Sequence, residues 1–241
     1  MMTFLSFGGG VQSCAMLHFI RDGVIERPDV IIFADTGAEM PETYHTIDEL
    51  VVPFCEELSI PFIICQSTLR GRIQDWHMEH NAIPMIGFKS CTGNWKIRVI
   101  RRIMREYVGN GRGKPLVKVQ LGITTDESRR ANASDVKWAV NSFPLIEAGI
   151  SREDCEDRLV EAGWSVRKSG CSFCPYQGSE SWNYLKDNHP VLFQEAIDLE
   201  ENYRANRPGR RQGLLNKAGK WLIDGIPEKK ESECDSGGCF L

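Results

Sequence analysis

Three groups of residues in this chain have types and spacings suited to chemistry. The first is Ser6-Phe7-Gly8-Gly9-Gly10-Val11-Gln12-Ser13. Consecutive glycines let a backbone take positive φ values and approach an anion without Cβ clashes. A helix starting just beyond them would aim free N–H groups and the positive end of its dipole at a phosphate. Ser13 would stand in the first turn, where its hydroxyl adds a donor. The plain alternative is a tight strand-to-helix turn without a ligand. The Gly-Lys-Ser/Thr ending of a Walker A loop is absent, and the segment does not fit G-x-G-x-x-G.

The second group is Gly170-Cys171-Ser172-Phe173-Cys174-Pro175. A C-x-x-C on a glycine-led turn lets two thiolates reach one metal, and the turn's N–H groups can support the sulfurs. Two thiols do not close a site, and spacing alone does not separate iron–sulfur from zinc. A metal-free pair of buried thiols is the remaining reading. The third group is Glu233-Cys234-Asp235-Ser236-Gly237-Gly238-Cys239, whose two thiols lie close enough to form a redox pair or receive a persulfide. Otherwise it is a charged, mobile tail carrying inert thiols.

The elements that must position these groups follow from apolar periodicity. Thr3–Phe7 reads as a buried strand, and Val11–Arg21 has the apolar spacing of a helix. Val30–Ala34 is a second strand, Pro41 opens a helix over Glu42–Leu58, and Pro61–Cys65 is a third strand. That alternation predicts βαβ units and a parallel sheet. Leu69–Pro84 shows no clear period and is expected to be loop with a short helix. Lys96–Tyr107 is an amphipathic helix. Val117–Ile123 is a strand that delivers Thr124–Arg130 to its carboxyl end. Ser151–Ala162 starts with a capping box, Ser151 with Asp154. Glycine, proline and polar residues become dense from Gly163. The expected fold class is therefore α/β, with a mainly parallel sheet flanked by helices and a smaller irregular cysteine-containing C-terminal region. The expected division is 1–162 and 163–241, the second packed on the first. Ligands in such open sheets lie beyond the strand carboxyl ends, where Ser6–Ser13, Asp35–Gly37 and Thr124–Arg130 should converge.

Composition narrows the classes further. A net charge of −4 over 241 residues gives no global drive toward nucleic acid or anionic membrane. Contact with nucleic acid would need a local patch, and two arginine runs qualify: Arg98, Arg101, Arg102 and Arg105, and Arg204, Arg207, Arg210 and Arg211. A solvated helix face is the other reading of each. No apolar run approaches the ~20 residues of a membrane span. With no signal-like N-terminus, the expected compartment is the cytoplasm. Nine cysteines, an odd number, then argue for ligands, reactive thiols and packing rather than disulfides. Cys14, Cys55 and Cys65 fall on apolar faces and are assigned to the core. A homodimer is compatible with all of this.

The glycine loop resembles the PP-loop, Ser-Gly-Gly-x-Asp-Ser, with Gly8 in place of the leading serine and Gln12 in place of the aspartate. Ala34-Asp35-Thr36-Gly37 followed by Pro41-Glu42-Thr43 resembles the D-T-G…P-E-T segment of the phosphoadenosine phosphosulfate reductase family. Gly122-Ile123-Thr124-Thr125-Asp126-Glu127-Ser128-Arg129-Arg130-Ala131 is similar to that family's G-x-R-x-D-E-S-x-x-R-A. Phe143-Pro144-Leu145-Ile146 and Lys217-Ala218-Gly219-Lys220-Trp221 match two later segments in the same order.

The resemblance implies a PP-loop, Rossmann-like domain that takes ATP or phosphoadenylyl sulfate, with Mg as the accompanying ion. Gly8, Gly9, Gly10, Gln12, Ser13 and Ser6 would serve the phosphate or sulfate end. Asp35, Thr36 and Gly37 would lie near the adenosine, and Arg129 would contact an oxyanion or support the loop. Cys91 stands where adenylyl-sulfate reductases place a Cys-Cys pair that holds a 4Fe–4S cluster with a later C-x-x-C; Ser90 replaces the first cysteine. Cys91, Cys171 and Cys174 would then hold a cluster with one open iron. The alternative is zinc, with a fourth ligand from Cys234, Cys239, Cys155 or a histidine. The reductases carry a nucleophilic cysteine in Glu-Cys-Gly-Leu-His, of which Glu233-Cys234 keeps the first two letters.

Three functions follow: adenylation and sulfur transfer to a nucleic acid or small acceptor, reduction of a sulfonucleotide, or nucleotide binding without turnover. The two enzyme readings require a sulfur or electron donor protein.

Overall fold

A computed structural model describes residues 1–87, 90–111, 115–207, 215 and 221–226. Five strands form one sheet: β1 (Met2–Phe7), β2 (Val30–Asp35), β3 (Phe62–Gln66), β4 (Val117–Leu121) and β5 (Ala139–Ser142). Their order is β3-β2-β1-β4-β5 and every pairing is parallel. Parallel neighbours need crossovers, and helices supply them. They are α1 (Val11–Arg21), α2 (Pro41–Thr46), α3 (Val52–Glu57), α4 (Ile73–Glu79) and α5 (Arg98–Val108), with a 3-10 turn between β4 and β5; α6 (Pro144–Glu147) and α7 (Arg152–Glu161) follow the last strand. The chain runs outward from β1 to β3, then returns to place β4 on the other side of β1. The order therefore reverses between β1 and β4, and a crevice opens beyond their carboxyl ends.

The two faces of the sheet bury alternate residues, as a pleated strand requires. Leu5, Phe7, Ile31 and Phe33 pack with α1, α3 and α7. Phe4, Ile32, Ala34, Val119 and Leu121 pack with α5. Cys14, Cys55 and Cys65 are all buried in these layers, as expected. Helices α2 and α3 form one rod broken by a π-turn at Ile47–Val51, where the Val52 N–H reaches Ile47 O. Pro53 follows it; lacking an N–H, it cannot make the bond to residue 49, and the wider turn absorbs the defect. The predicted capping box at α7 is present, with Ser151 accepting from Asp154 N.

Two differences from the expected pattern stand out. Strand β5 is only four residues long, too short to show a period. The C-terminal region is more regular than expected: α8 (Ser179–Asn188) and α9 (Pro190–Asn206) follow one another across His189. Their apolar residues Trp182, Leu185, Phe193, Ala196, Ile197 and Leu199 form a third core layer with Ala38, Ile73, Ile83 and Trp95. The helical spacing was in the sequence, masked by the breakers around it. Among the described residues, no helix is long and apolar enough to cross a membrane.

Candidate functional site at the carboxyl edge of the sheet

Loop 8–10 joins β1 to α1 with Gly9 at φ 75°. Gly9 lies so close to α2 that an added Cβ would stand 2.8 Å from Thr43 Cγ2. At Gly10 it would stand 3.0 Å from Ser169 Oγ. The glycines are thus fixed by two neighbours as well as by φ. Gly10 is the N-cap of α1 and offers no side-chain cap, so the helix's first N–H groups face the loop. Ser13 is buried, and its hydroxyl donates to Gly10 O at 2.9 Å. That bond stiffens the loop from within.

Behind the loop, Gln12 Nε2 lies 3.5 Å from Glu127 Oε2, and Arg130 Nη1 is 2.8 Å from the same oxygen. Gln12, Glu127 and Arg130 are all buried at the reversal point of the sheet. The turn Thr125–Arg130 is a 3-10 helix, whose tight rise sends Arg130 inward and Arg129 to the exposed side. Sequence reasoning favoured Arg129; the structure turns its neighbour toward the glycine loop. Ser6 shares the α5 face with Phe4 and lines a small cavity with Ile97, Ile100 and Arg101. It lies across the sheet from Gln12 and Ser13.

The loop after β2 is built by side-chain hydrogen bonds. Asp35 Oδ1 accepts from Gly37 N and Tyr44 Oη, both at 2.7 Å, and Oδ2 from Gln66 Nε2 at 2.6 Å. Gly37 has φ 75°, and its carbonyl accepts from Arg72 Nε at 2.9 Å. Thr36 Oγ1 donates to Glu39 Oε1 at 3.0 Å, and Lys96 Nζ lies 3.2 Å from that oxygen.

The cysteine turn is clasped to this loop. Met40 N donates to Gly170 O at 3.0 Å and Ser172 N to Ala38 O at 2.9 Å, making an antiparallel bridge between Glu39 and Cys171. Cys171 Sγ is then 3.3 Å from Thr36 Oγ1 and 3.9 Å from Glu39 Oε1. Cys174 N closes the turn onto Cys171 O at 3.0 Å, and Gln177 Nε2 holds Cys171 O and Ser172 O at 3.2 and 2.8 Å. Cys91 immediately precedes a π-turn, Thr92–Ile97, that leads into α5. A buried histidine that the sequence did not single out, His77, sits 3.8 Å from Cys91 Sγ through Nε2. Its ring also meets Phe173, inside the C-x-x-C, at 6.3 Å. A lone histidine in an unpatterned segment carries no sequence signal.

Burial dominates the protonation of this corner. It raises the Cys171 thiol well above its usual value, with the Glu39 carboxylate adding to the effect. Cys174 rises to about 11, first by burial and then by Cys91, against a lowering bond from the Tyr176 backbone. Cys91 is raised for the same first reason. His77 falls to about 4, again by burial, and is neutral at pH 7. Two buried polar atoms here, Glu39 Oε2 and His77 Nδ1, have no hydrogen-bond partner.

These residues bear unequally on the two metals. Among the described residues, no three Cys, His, Asp or Glu side chains are grouped to hold one metal ion. That speaks to zinc, whose sulfur ligands stand at ~2.3 Å from a single centre. A 4Fe–4S cluster takes each thiolate through a different iron and accepts a wider set. Metal ligation deprotonates thiols outright, which suits buried thiols that are poor nucleophiles on their own. Cys155, a candidate fourth ligand, belongs instead to the core layer around α1 and α7. Cys234, Cys239, Arg210 and Arg211 lie outside the described residues. Of the remaining arginines, Arg101 pairs with Asp135, Arg102 donates to Thr68 Oγ1 at 2.6 Å, and Arg105 stacks on Trp138 at 3.9 Å. Arg204 lies 5.3 Å from the Trp221 ring, and Arg207 reaches Asn81 O at 3.3 Å.

The parallel sheet, its reversal point and the glycine loop define an α/β domain of Rossmann-like class. Residues 2–111 match the family model of the phosphoadenosine phosphosulfate reductase domain. The cysteine turn lies beyond the matched span. No curated protein matches the chain. Among solved structures, it is similar to a phosphoadenylyl-sulfate reductase from Candida auris in a phosphate complex. That similarity has 14% identity, covers 68% of this chain and 73% of that one, and has a TM-score of 0.47. It is also similar to the U34-tRNA thiolase NcsA from Methanococcus maripaludis, solved with its 4Fe–4S cluster. There the identity is 17%, the coverage 96% and 84%, and the TM-score 0.44.

Proposed function

We propose that this protein is an adenine-nucleotide-dependent sulfur-transfer enzyme, with ATP on the glycine loop and an iron–sulfur cluster on Cys91, Cys171 and Cys174. The observation that carries the reading is the clasp. Cys171 stands 3.3 Å from Thr36 Oγ1, and Ser169 packs on Gly10, so thiols and anion loop share one crevice. Gly8, Gly9, Gly10 and the first N–H groups of α1 would hold the polyphosphate, with Mg beside it. Gln12 and Ser13 would fix the loop, and Asp35, Thr36 and Gly37 would border the adenosine. Arg130, through Glu127, would stiffen the base of the site, and Arg129 would meet anions at its rim.

The chemistry balances without redox change when sulfur enters as sulfide. An acceptor oxygen attacks the α-phosphorus, the bond to pyrophosphate breaks, and pyrophosphate leaves. Sulfide then attacks the activated carbon, and the acceptor's oxygen departs with AMP. A cluster held by Cys91, Cys171 and Cys174 would supply an open coordination position for sulfide. The protein's own part is to bind, orient and exclude water.

Anaerobic purification with metal analysis tests the site: about four irons per chain are expected, and Cys171→Ala or Cys174→Ala should lose them. Colourless protein with one zinc, or full metal content in either variant, would overturn it. Acceptor-dependent pyrophosphate release from ATP tests the activity. The family match over residues 2–111 supports a second reading, sulfonucleotide reduction, in which Cys234, outside that span, would be the nucleophile. Sulfite release from phosphoadenylyl sulfate with a thiol donor would select it. Binding of either nucleotide without turnover would leave an accessory role.

A further inference from the structure

A cavity of about 270 Å³ opens beside the cysteine turn, between the start of α2, residues 167–177 and α8. Cys171 and Cys174 form one wall, and Thr43 and Ser169, which also touch the glycine loop, form another. Its size is just below the ~300–1,000 Å³ of ordinary small-molecule clefts. It admits one planar ring system with its substituents and excludes a folded segment.

The far wall is aromatic and cationic. The Arg167 guanidinium lies 3.7 Å from the Tyr184 ring centroid. Tyr184 is held in place by its hydroxyl, which donates to Glu42 Oε1. His189 Nε2 meets the same oxygen at 2.7 Å, so the carboxylate is fixed from two sides. Tyr176, a second aromatic in the lining, accepts from Gly87 N at 3.1 Å through its hydroxyl. Arg167 and Lys168 are both exposed at the mouth. A flat guanidinium–phenol stack beside a second ring, with cations at the entrance, is the wall that unstacked nucleobases use: the ring stacks and the flanking phosphates meet the charges. The lining also carries Glu42 and Glu180, so its positive charge is confined to Arg167 and Lys168 at the mouth.

We infer that this cavity is the acceptor site and takes a single unstacked nucleobase of a nucleic-acid strand, its edge turned toward Cys171 and Cys174. The assignment rests on the sulfur-transfer reading for its role and on the cavity lining for its ligand. ATP would occupy the glycine loop on the other side of Thr43 and Ser169. The two ligands are thus neighbours separated by a thin wall, as activation of one by the other requires.

The test uses full-length protein and a short fluorescein-labelled single-stranded RNA of mixed sequence, with a DNA strand of the same sequence as second arm. Binding is followed by fluorescence anisotropy, and a 4-thiouridine-substituted RNA maps the contact by photocrosslinking and peptide analysis. The RNA, the DNA or both should bind. Two phosphate contacts predict a logarithmic salt slope of about −1.4. Crosslinks should fall within residues 167–184. Tyr184→Ala should weaken the strand about ten- to a hundred-fold, and Arg167→Glu should weaken it too. In each variant the strand's loss should exceed the loss for ATP by about tenfold. Tyr184→Phe should keep most of the affinity, because the ring remains.

Absence of strand binding, equal affinity in both variants, or crosslinks confined to other segments would overturn the assignment. So would phosphoadenylyl sulfate binding that depends on Tyr184 and excludes the strand. If the strand binds through Tyr184 and ATP releases no pyrophosphate, the cavity assignment stands and the sulfur-transfer reading fails. If pyrophosphate is released and no strand binds, the reverse holds.

Discussion

The two loops that leave adjacent strands of this sheet are built on opposite principles. Loop 8–10, after β1, is shaped by what it lacks: Thr43 and Ser169 stand where side chains would be. The loop after β2 is shaped by what it carries: Asp35 gathers three donors and Thr36, Glu39 and Lys96 form a second network. The first should tolerate lost hydrogen bonds and fail on added volume. The second should do the reverse. The cysteine turn touches both, Ser169 on one side and Cys171 on the other, so damage to either loop should reach it.

The largest expected effect is on the second loop. Asp35→Ala strands Gly37 N, Tyr44 Oη and Gln66 Nε2 near a buried site, and about 3–5 kcal/mol of stability should be lost. Urea unfolding measures it; a loss below about 1 kcal/mol would mean that the loop is not held by this carboxylate. Next, Gly9→Ala must take a left-handed φ and push a methyl against Thr43, together costing about 2–4 kcal/mol. The double variant with Thr43→Ala should recover the steric share and leave the conformational one. No recovery would show that packing against α2 does not set the loop.

A third measurement loosens the helix of the first loop without touching either. His18, on α1, lies against Phe54 and Trp164 at 4.6 Å and is almost fully buried. Burial first, then the positive charges of Arg158 and Arg21, lower it to about 4, while Asp22 opposes them. A histidine depressed on folding gives stability that is complete above its unfolded value near 6.5 and is lost as pH falls through about 4. Its share between pH 7 and 5 is about 2 kcal/mol. Glu200, raised to about 6 mainly by burial, works the other way, because acid stabilises a carboxyl of raised pKa. Comparing the wild type with His18→Phe isolates the histidine: the variant should show the shallower loss on acidification. Equal pH profiles would remove His18 from the account. The smallest effect is Ser13→Ala, which deletes one buried bond to Gly10 O and should cost about 1 kcal/mol. A cost near that of Gly9→Ala would mean that the loop leans on hydrogen bonds after all.

Much of the domain was readable in advance. The short apolar runs of β1 and β2, the helical period of α1 and the Ser151 capping box all carry local signals, and each is where expected. Strand β5 and the pair α8–α9 were not, because four residues show no period and glycine and proline hid the helical one. In the candidate site, the glycine loop and the C-x-x-C announced themselves by spacing. His77 and Glu39 did not, since nothing about a single residue tells what its neighbours in space will be.

Residue order alone settled the parallel α/β class, the glycine turn between β1 and α1, and the burial of Cys14, Cys55 and Cys65. These depend on neighbours a few positions apart, which the sequence states directly. Folding decided that Arg130 rather than Arg129 turns inward, that Ser6 faces away from the glycine helix, and that Cys171 meets Thr36 across 135 positions of chain. Those outcomes follow from where the sheet reverses and how tightly one short helical turn winds, and no local pattern encodes either.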